Sequence, residues 1–495
     1  MSVLWDALNN IDNFAIVLLL LSLSIALFYE MINGFHDTAN AVAMIIYTNS
    51  MKAGYSVIMA GIMNFIGVIL GGIGVAYVIV HLLPLDIMVS SDQNATLVMI
   101  FSLLLSALIW NFGTWYFGLP VSSSHSLIGS LVGVSVAFGM MHGFTFSQSL
   151  NWKVVYGILT ALAVSPLLGF GLAFLIMKLS RKLVKNPKFF KTPSTEGKKK
   201  PNFWMRTGII ATGAGVSFAH GSNDGQKGIG LIMIILIGIL PTYYALNMEA
   251  HQYKIMQTRD SAANLAKFYA DNNDILTKLL NEKQLISALK IQNSITECNV
   301  NQVYNTTLEI STKLDGLKSY SELTENDRWK IHTAVLCSDN FFGQVERAYK
   351  SIDKDKSDYI ADQRKQMITS TEYVPYWVII AVALMIGIGT MIGYKRVVHS
   401  IGEKIGSKPI NHMQGAVSQA MAMVTILLAN FAHAPVSTTH IVSSAVAGTM
   451  VAEPDGGVQK KTFNTILLAW LFTLPVTAIM GAAIYIGLSY IIKIN

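Results

Sequence analysis

Two short stretches place a carboxylate inside apolar sequence. Asp37 stands in Gly34-Phe-His-Asp-Thr-Ala-Asn-Ala41 after a long, nearly uncharged run, and Asp224 repeats the Gly-x-x-Asp spacing in Gly221-Ser-Asn-Asp-Gly-Gln-Lys-Gly228. A carboxylate in hydrocarbon costs at least ~2.5 kcal/mol, so both side chains should face a cavity, a cation or each other. Such carboxylates suit a coupling cation or a metal, and neighbouring amides can add neutral oxygens. The predicted ligands of this cation are Asp37, Asp224, Asn40 and Asn223.

Each acidic motif is followed later by a hydroxyl-rich run, Pro120-Val-Ser-Ser-Ser-His125 and Pro435-Val-Ser-Thr-Thr-His440. Proline suits the first turn of a helix, where N–H groups are free and the helix dipole is positive. Hydroxyls and amides at a helix start can wrap a tetrahedral oxyanion. Ser and Thr are also ordinary N-caps and interhelical contacts, so it is the matched pair of runs that favours an anion site. The predicted oxyanion ligands are Ser122, Ser123, Ser124, Ser437, Thr438 and Thr439.

Several further polar residues accompany these motifs. A neutral histidine can donate to an anion or carry a proton. Lys227 could offset Asp224 or attract an anion, whereas Glu30 could instead lie at the interfacial end of a span. The predicted auxiliary residues are His125, His440, Lys227, Gln226 and Glu30. Ser124 beside His125 also leaves an intramembrane hydrolase open, but no Gly-x-Ser-x-Gly elbow accompanies the pair.

The composition sets the class of protein. Of the 495 residues, 52% are hydrophobic and 13% are charged, and the apolar runs have the length of membrane-spanning helices rather than of barrel strands. The net charge of +7 could suggest a nucleic-acid partner, but ten Lys and Arg residues fall within 178–206. Short basic loops stay cytoplasmic, so this charge indicates membrane topology and we predict no nucleic-acid binding.

Ten apolar segments are predicted to cross the membrane. They are 13–46, 55–83, 96–116, 118–142, 153–178, 207–245, 374–394, 413–433, 434–452 and 462–492. Segments 13–46 and 207–245 are too long for one ordinary span of ~20 residues, and glycine weakens helices, so we predict that each is one crossing broken at its motif. Segments 118–142 and 434–452 could instead be re-entrant hairpins.

The loop charges predict an inverted repeat. Ten crossings place the first five spans from outside to inside and the second five from inside to outside. The predicted divisions are an N-terminal membrane repeat with its basic loop at 1–206, the start of the second repeat at 207–246, an insertion at 247–371 and the remainder of the second repeat at 372–495. Both termini and the insertion should be periplasmic, and the loop 178–206 cytoplasmic.

The insertion has a different composition from the rest of the chain. With Glu372 at its edge, it holds 18 of the 29 acidic residues. Apolar and aromatic residues recur through it, so we predict a soluble helical unit rather than a disordered linker. Cys298 and Cys337 both lie in it, and a disulfide would form if it faces an oxidising compartment.

Taken together, the motifs resemble those of the inorganic phosphate transporter (Pit) family, and specifically its bacterial low-affinity members. The likeness rests on both Gly-x-x-Asp motifs, both Pro-Val-Ser runs and Gly402-Glu-Lys-Ile-Gly406, and it covers both halves of the chain. The resemblance implies a transporter of the bacterial inner membrane, not an enzyme, with the paired motifs as its central site. It also implies symport with protons and a neutral divalent-metal phosphate as the transported species, whereas other branches use Na⁺.

Two departures from the family pattern bear on the coupling ion. His36 stands where many relatives have Asn, and Gln226-Lys227 stands where the first motif has Ala39-Asn40. The cation site would therefore be asymmetric, which fits proton coupling better than Na⁺.

The resulting prediction is a secondary transporter that imports inorganic phosphate with protons and alternates access around a midplane site. A Na⁺-coupled phosphate or other oxyanion symporter, an anion channel and a hydrolase are the alternatives. The predicted partners are inorganic phosphate and membrane lipid, with a homodimer left open. We predict no organic cofactor and leave open the co-transport of Mg²⁺ or Zn²⁺.

Overall fold

The computed structural model describes residues 4–5, 13–83, 93–119, 121–193, 200–279, 300–392, 406–454 and 456–492. Within these ranges the chain is helical and contains no strand; Gly406 and Val458 form an isolated antiparallel bridge. Several features of the sequence lie outside the described residues. They are Pro120, Cys298, residues 402–405 of the Gly402-Glu-Lys-Ile-Gly406 motif, part of the basic loop at 194–199 and part of the insertion at 280–299.

The helices follow one another with short connections through most of the chain. In order they are α1 (Asn13–Tyr47), α2 (Ala53–Leu70), α3 (Gly74–Val80), α4 (Gln93–Tyr116), α5 (Ser123–Met141), α6 (Trp152–Leu183), α7 (Phe203–Ile239), α8 (Pro241–Tyr244), α9 (Gln252–Leu279), α10 (Val300–Lys313), α11 (Glu325–Tyr349), α12 (Lys354–Met367), α13 (Tyr376–Met391), α14 (His412–Phe431), α15 (Thr438–Ala452) and α16 (Lys460–Ile492).

Seven helices among the described residues are long and apolar enough to cross a membrane. These are Ile16–Tyr47, Ala53–Leu70, Ala95–Tyr116, Ser123–Met141, Trp152–Leu183, His412–Phe431 and Phe463–Ile492. The prediction of an all-α polytopic membrane protein is thereby confirmed. The other three predicted segments correspond to α7, whose centre is polar, to α13, which is apolar but shorter, and to α15, which has 15 residues.

The two long motif helices are continuous. α1 runs from Asn13 to Tyr47 and α7 from Phe203 to Ile239, so the predicted breaks in 13–46 and 207–245 are wrong. The motif glycines serve close packing instead. A Cβ atom at Gly34 would collide with the backbone of α13 at Ile386, and one at Gly221 with the backbone of α2 at Asn64. Small residues at such contacts let two helices approach closely without interrupting either of them.

The helices that begin at the hydroxyl runs pack in a crossed pattern. α5 lies along α16 from the end of the chain, and α15 lies along α6 from the first half. In both contacts a glycine meets a backbone carbonyl: Gly133 of α5 faces Ala478, and Gly448 of α15 faces Phe170. Each partner helix also carries an internal proline, Pro166 in α6 and Pro475 in α16. The two hydroxyl-run helices thus have equivalent surroundings, each provided by the other half of the chain.

The chain forms two compact units. One is made of Leu18–Pro84, Leu97–Ile234 and Pro375–Asn495, and it contains both acidic motifs and both hydroxyl runs. The other consists mainly of Ile235–Val374, which includes the predicted insertion.

The second unit has its own core, in which α9 to α12 pack together around side chains such as Leu265, Ile310, Val335, Phe342 and Ile360. Within it, Arg364 pairs with Asp339 at 3.0 Å and with Glu346. Cys337 is disulfide-bonded. This segment is therefore helical in its described part, while its solubility and its side of the membrane stay predictions.

Candidate functional site

Asp37 receives hydrogen bonds from hydroxyl groups at the start of α15. Asp37 is a residue of α1 and is 2% exposed. Thr439 Oγ1 donates to Asp37 Oδ1 at 2.6 Å, and Thr438 Oγ1 donates to Asp37 Oδ2 at 3.1 Å. Ser123 Oγ, at the start of α5, lies 3.5 Å from Asp37 Oδ2. The first turns of both hydroxyl-run helices therefore meet at the carboxylate of the first acidic motif.

Asp224 forms a buried ion pair with Lys227 one turn further along α7. The Lys227 Nζ to Asp224 Oδ1 distance is 2.6 Å. The same ammonium donates to Ser124 Oγ and to the Val436 carbonyl, each at 2.5 Å. An ammonium has three donors, and these three acceptors satisfy them all. A buried ion pair is favourable only when its remaining donors are satisfied, and here they link α7 to both hydroxyl runs.

His220 bridges the two aspartates. Its Nε2 lies 3.3 Å from Asp37 Oδ2 and 3.3 Å from Asp224 Oδ2. One ligand atom of each of these residues lies within 4.8 Å of the others, and all three side chains are buried. An imidazole nitrogen with two carboxylate oxygens at this spacing is a ligand set that suits a transition metal such as Zn²⁺.

A chain of hydrogen bonds fixes the protonation of His220 Nδ1. The Thr390 hydroxyl donates to the Ile386 carbonyl at 2.7 Å, so it accepts from Asn64 Nδ2, 2.7 Å away. The amide oxygen of Asn64 is then left to accept from His220 Nδ1 at 3.0 Å. Because Nδ1 carries a hydrogen, Nε2 either carries a second proton or directs its lone pair at a cation. A bare lone pair between two carboxylates would be repelled by both.

Asn40 also joins this cluster. Its Nδ2 donates to Thr439 Oγ1 at 3.1 Å, while its Oδ1 is buried and has no hydrogen-bond partner among the described residues. Asp224 Oδ2 is likewise buried, and His220 Nε2 lies 3.3 Å from it. The amide oxygen of Asn40, which has no donor among the described residues, provides a further place for a cation.

Ser122 and Ser437 are N-caps. Ser122 Oγ accepts from the backbone N–H of His125 at 3.1 Å, and Ser437 Oγ accepts from that of His440 at 3.2 Å. The prediction that Pro435 lies in the first helical turn is wrong, since α15 begins at Thr438 and Ser437 precedes it as the cap. Capping by serine satisfies one of the free N–H groups of the first turn, which places the next two hydroxyls against Asp37 or Lys227.

The two predicted histidines lie side by side. The ring centroids of His125 and His440 are 4.5 Å apart, and His440 stacks on Trp470 at 3.9 Å. His125 Nδ1 contacts Ser122 Oγ at 2.9 Å. These histidines therefore hold the starts of α5 and α15 together beside the aspartate cluster.

Two predicted site residues brace neighbouring segments instead. Asn223 donates to Asn430 Oδ1 at 2.6 Å and to the Ala434 carbonyl at 3.1 Å, and its own oxygen accepts from Val436 N at 3.2 Å. These contacts use both amide hydrogens and one lone pair of the oxygen, and they tie Asn223 to α14 and to the segment before α15. Gln226 similarly accepts from Val75 N at 2.8 Å and donates to Gly71 O at 2.7 Å.

Residues 33–481 match the model of the phosphate transporter family. The chain belongs to this family. This phosphate transporter family member is 42% identical to the low-affinity inorganic phosphate transporter PitB of Escherichia coli (strain K12), over 96% of this chain and 97% of the relative. PitA of the same strain is 42% identical over 95% of this chain and 96% of its own length. The low-affinity inorganic phosphate transporter of Buchnera aphidicola subsp. Acyrthosiphon pisum is 40% identical, with the same coverage. The resemblance to the Pit family is therefore confirmed.

The fold has a solved counterpart. A structure described as the sodium-dependent phosphate transporter superposes with a TM-score of 0.54 and 19% sequence identity, covering 96% of this chain and all of that one. At this identity the likeness shows that the two chains share a fold.

His220 is the site residue that the sequence analysis of this family member missed. Its signal was present, because residues four apart lie on one face of a helix and His220 precedes Asp224 by four positions. The Gly-x-x-Asp spacing begins at Gly221 and so does not include His220. Asn64 gave no such signal, since its role depends on the packing of α2 against α7.

Proposed function

We propose that this chain imports inorganic phosphate by symport with protons, with a divalent metal accompanying the anion, and that access to a central site alternates between the two sides of the membrane. The substrate is supported by membership of the phosphate transporter family and by 42% identity to low-affinity inorganic phosphate transporters over nearly the whole of both chains. Under this proposal the protein lies in the bacterial inner membrane, with its termini and 247–371 periplasmic and 178–206 cytoplasmic.

The proposed mechanism rests on one observation: the hydroxyl groups expected to bind phosphate donate hydrogen bonds to Asp37. Thr438 and Thr439, which are expected to hold phosphate, donate to Asp37 instead, and Ser123 lies beside them. A bare phosphate would be repelled by this carboxylate and by Asp224. A proton or a metal ion that arrives with phosphate neutralises the carboxylates and frees the hydroxyls to bind the anion. The anion and its cation would therefore bind together.

The proposed residue roles follow from the contacts. Phosphate would be bound by the hydroxyl groups of Ser123, Ser124, Thr438 and Thr439. Lys227 would add a positive charge to this site, and Asp224 balances that charge when no phosphate is bound. Asp37, His220 and Asp224 would hold the metal ion. When bound, a divalent ion there would screen the anion from both carboxylates.

Alternating access is supported by the crossed packing of the hydroxyl-run helices. α5 rests on α16 and α15 rests on α6, which is the arrangement expected of two related halves that exchange helices. We propose that these halves form an inverted repeat and rock about the contact between His125 and His440.

A sodium-coupled symporter is the second candidate. Na⁺ prefers oxygen ligands; the buried Asn40 Oδ1 has no hydrogen-bond donor among the described residues, and the site also contains the carboxylates of Asp37 and Asp224. Proton coupling is the better supported of the two, because His220 with two carboxylates offers protonation sites in the same place.

Purified protein in liposomes tests the function. Labelled phosphate should accumulate under an inward proton gradient when Mg²⁺ or Zn²⁺ is present, and a Na⁺ gradient alone should not drive it. Accumulation that requires Na⁺ would establish the second candidate. Downhill flux that no gradient converts into accumulation would indicate a channel. Asp37→Asn and Asp224→Asn should each abolish uptake while the protein remains in the membrane.

A further inference from the structure

Glu30 is a buried acid outside the aspartate cluster. It lies on α1, seven residues before Asp37, and it is fully buried within the protein, not at a lipid-facing helix end. Its Oε2 accepts a long hydrogen bond of 3.5 Å from Asn33 Nδ2. Its Oε1, and Asn33 Oδ1 beside it, have no hydrogen-bond partner among the described residues.

The backbone of α7 packs directly against this carboxyl group. A Cβ atom at Gly228 would lie 2.3 Å from the carboxyl carbon of Glu30, so the glycine lets the acid approach the helix this closely. Glu30 of α1 thus contacts α7 one residue beyond Lys227, on the helix that also carries Asp224.

The charges near Glu30 are already matched to other partners. The titratable groups that act on it include Asp224, His220 and Lys227 on α7 and the adjacent Tyr29 on α1. Lys227 uses its three donors on Asp224, Ser124 and Val436. His220 Nε2 is directed at Asp37 and Asp224, 3.3 Å from each. Among the described residues, neither Lys227 nor His220 is therefore directed at an ionised Glu30.

A proton on Glu30 would remove its unpaired charge and supply a donor to the acceptor oxygens that lack one. An unpaired buried carboxylate costs several kcal/mol, which protonation removes. The O–H group it creates is also a donor at a place with two acceptors that lack one. The surroundings of Glu30 in this conformation therefore match a neutral carboxylic acid.

We propose that Glu30 is a proton-binding residue of the symport, which holds its proton in the buried conformation and releases it when α1 and α7 separate and water reaches it. This inference rests on the proposed proton coupling. It assigns the proton to a place separate from the phosphate and metal ligands, so that both can be occupied in the same transport cycle.

Glu30→Gln tests this, because glutamine mimics the protonated acid and cannot release a proton. In liposomes, accumulation driven by a pH gradient should be lost, while exchange of labelled for unlabelled phosphate at equal concentrations should continue. Glu30→Asp keeps a titratable group and should retain part of the accumulation. Glu372→Gln, which changes a partly buried acid in the other compact unit, should leave transport unchanged. Full accumulation by Glu30→Gln would overturn the proposal.

Infrared spectroscopy separates this proposal from the proposed function. The carbonyl band of a protonated carboxylic acid should be present in the wild type, shifted in Glu30→Asp and missing in Glu30→Gln. If the wild type proves to be driven only by Na⁺ and this band is still assigned to Glu30, the coupling proposal fails while the protonated acid stands. If neither substitution alters the band, the protonated Glu30 is itself wrong. The shift in Glu30→Asp gives the same answer if Glu30→Gln does not fold.

Discussion

Thr439 donates a hydrogen bond of 2.6 Å to Asp37 across 402 positions of the sequence. This contact joins the first turn of α15 to the middle of α1. It gives the acid of the first motif a hydroxyl donor from the second half of the chain, so the candidate site depends on the assembly of both halves.

Replacing Thr439 by valine should remove this donor with little change in shape. The free energy of unfolding should fall by about 1.5–3 kcal/mol, because a buried carboxylate loses a hydrogen bond. Phosphate uptake should also fall sharply. The matched control is Thr449→Val on the same helix, whose hydroxyl bonds to Val446 O within that helix. If both variants lost uptake equally, Thr439 would have no specific role in the candidate site.

The Lys227 and Asp224 pair should show strong energetic coupling. Lys227→Met leaves a buried carboxylate without its partner and should destabilise the protein by about 3–5 kcal/mol. The double variant Asp224→Asn with Lys227→Met should recover part of that loss. Unfolding of the purified protein in detergent measures Lys227→Met, Asp224→Asn and the double variant against Lys182→Met, an exposed lysine. Additive effects of the two substitutions would contradict the pairing.

Gly221 tests the role of the motif glycines. Gly221→Ala should destabilise the protein by about 1–3 kcal/mol, because its methyl group would press on the Asn64 backbone of α2. It should also weaken transport, since Asn64 orients His220. Gly208→Ala is the control: it lies on the same helix with open space around its Cβ position. There alanine should be neutral or stabilise by about 0.5–1 kcal/mol. If Gly221→Ala were as well tolerated, close packing would not be its function.

Glu372 should make the stability of the helical unit depend on pH. Burial raises the pKa of Glu372 to about 7, Asp339 adds to this, and Arg364 partly opposes it. An unfolded glutamate releases its proton near pH ~4.3, so the stabilisation is present below that pH and is lost as pH rises towards 7. Hydrogen exchange in α12, corrected for its intrinsic pH dependence, should therefore be slower at pH 5 than at pH 8. In Glu372→Gln this difference should shrink, and an unchanged difference would assign it to another group.

The sequence predicts the class of fold well because hydrocarbon imposes a simple rule. Long apolar runs with few charges specified helices, and seven of the ten predicted segments satisfy the length and composition of a span. The prediction of helix breaks was wrong because the sequence does not distinguish a glycine that weakens a helix from one that lets two helices pack closely, as Gly34 and Gly221 do. Glycine weakens an isolated helix, yet here each glycine contacts the backbone of another helix.

The sequence predicted the site residues that recur in both halves of the chain. It predicted less well the residues whose partners are set by helix packing. Asp37, Asp224 and the two hydroxyl runs repeat in both halves, and the structure brings them into one cluster. Asn223 and Gln226 also stand in a motif, but their amides brace adjacent backbone, which spacing alone does not reveal.

The crossed packing of α5 and α16 has a consequence for biosynthesis. α5 ends at Met141, whereas α16, which covers its glycine-containing surface, begins at Lys460. The ribosome therefore delivers α5 to the membrane long before its partner exists. The nascent first half must keep that surface available, shielded by lipid or by the insertion machinery, until translation of α16 allows the final helix to dock.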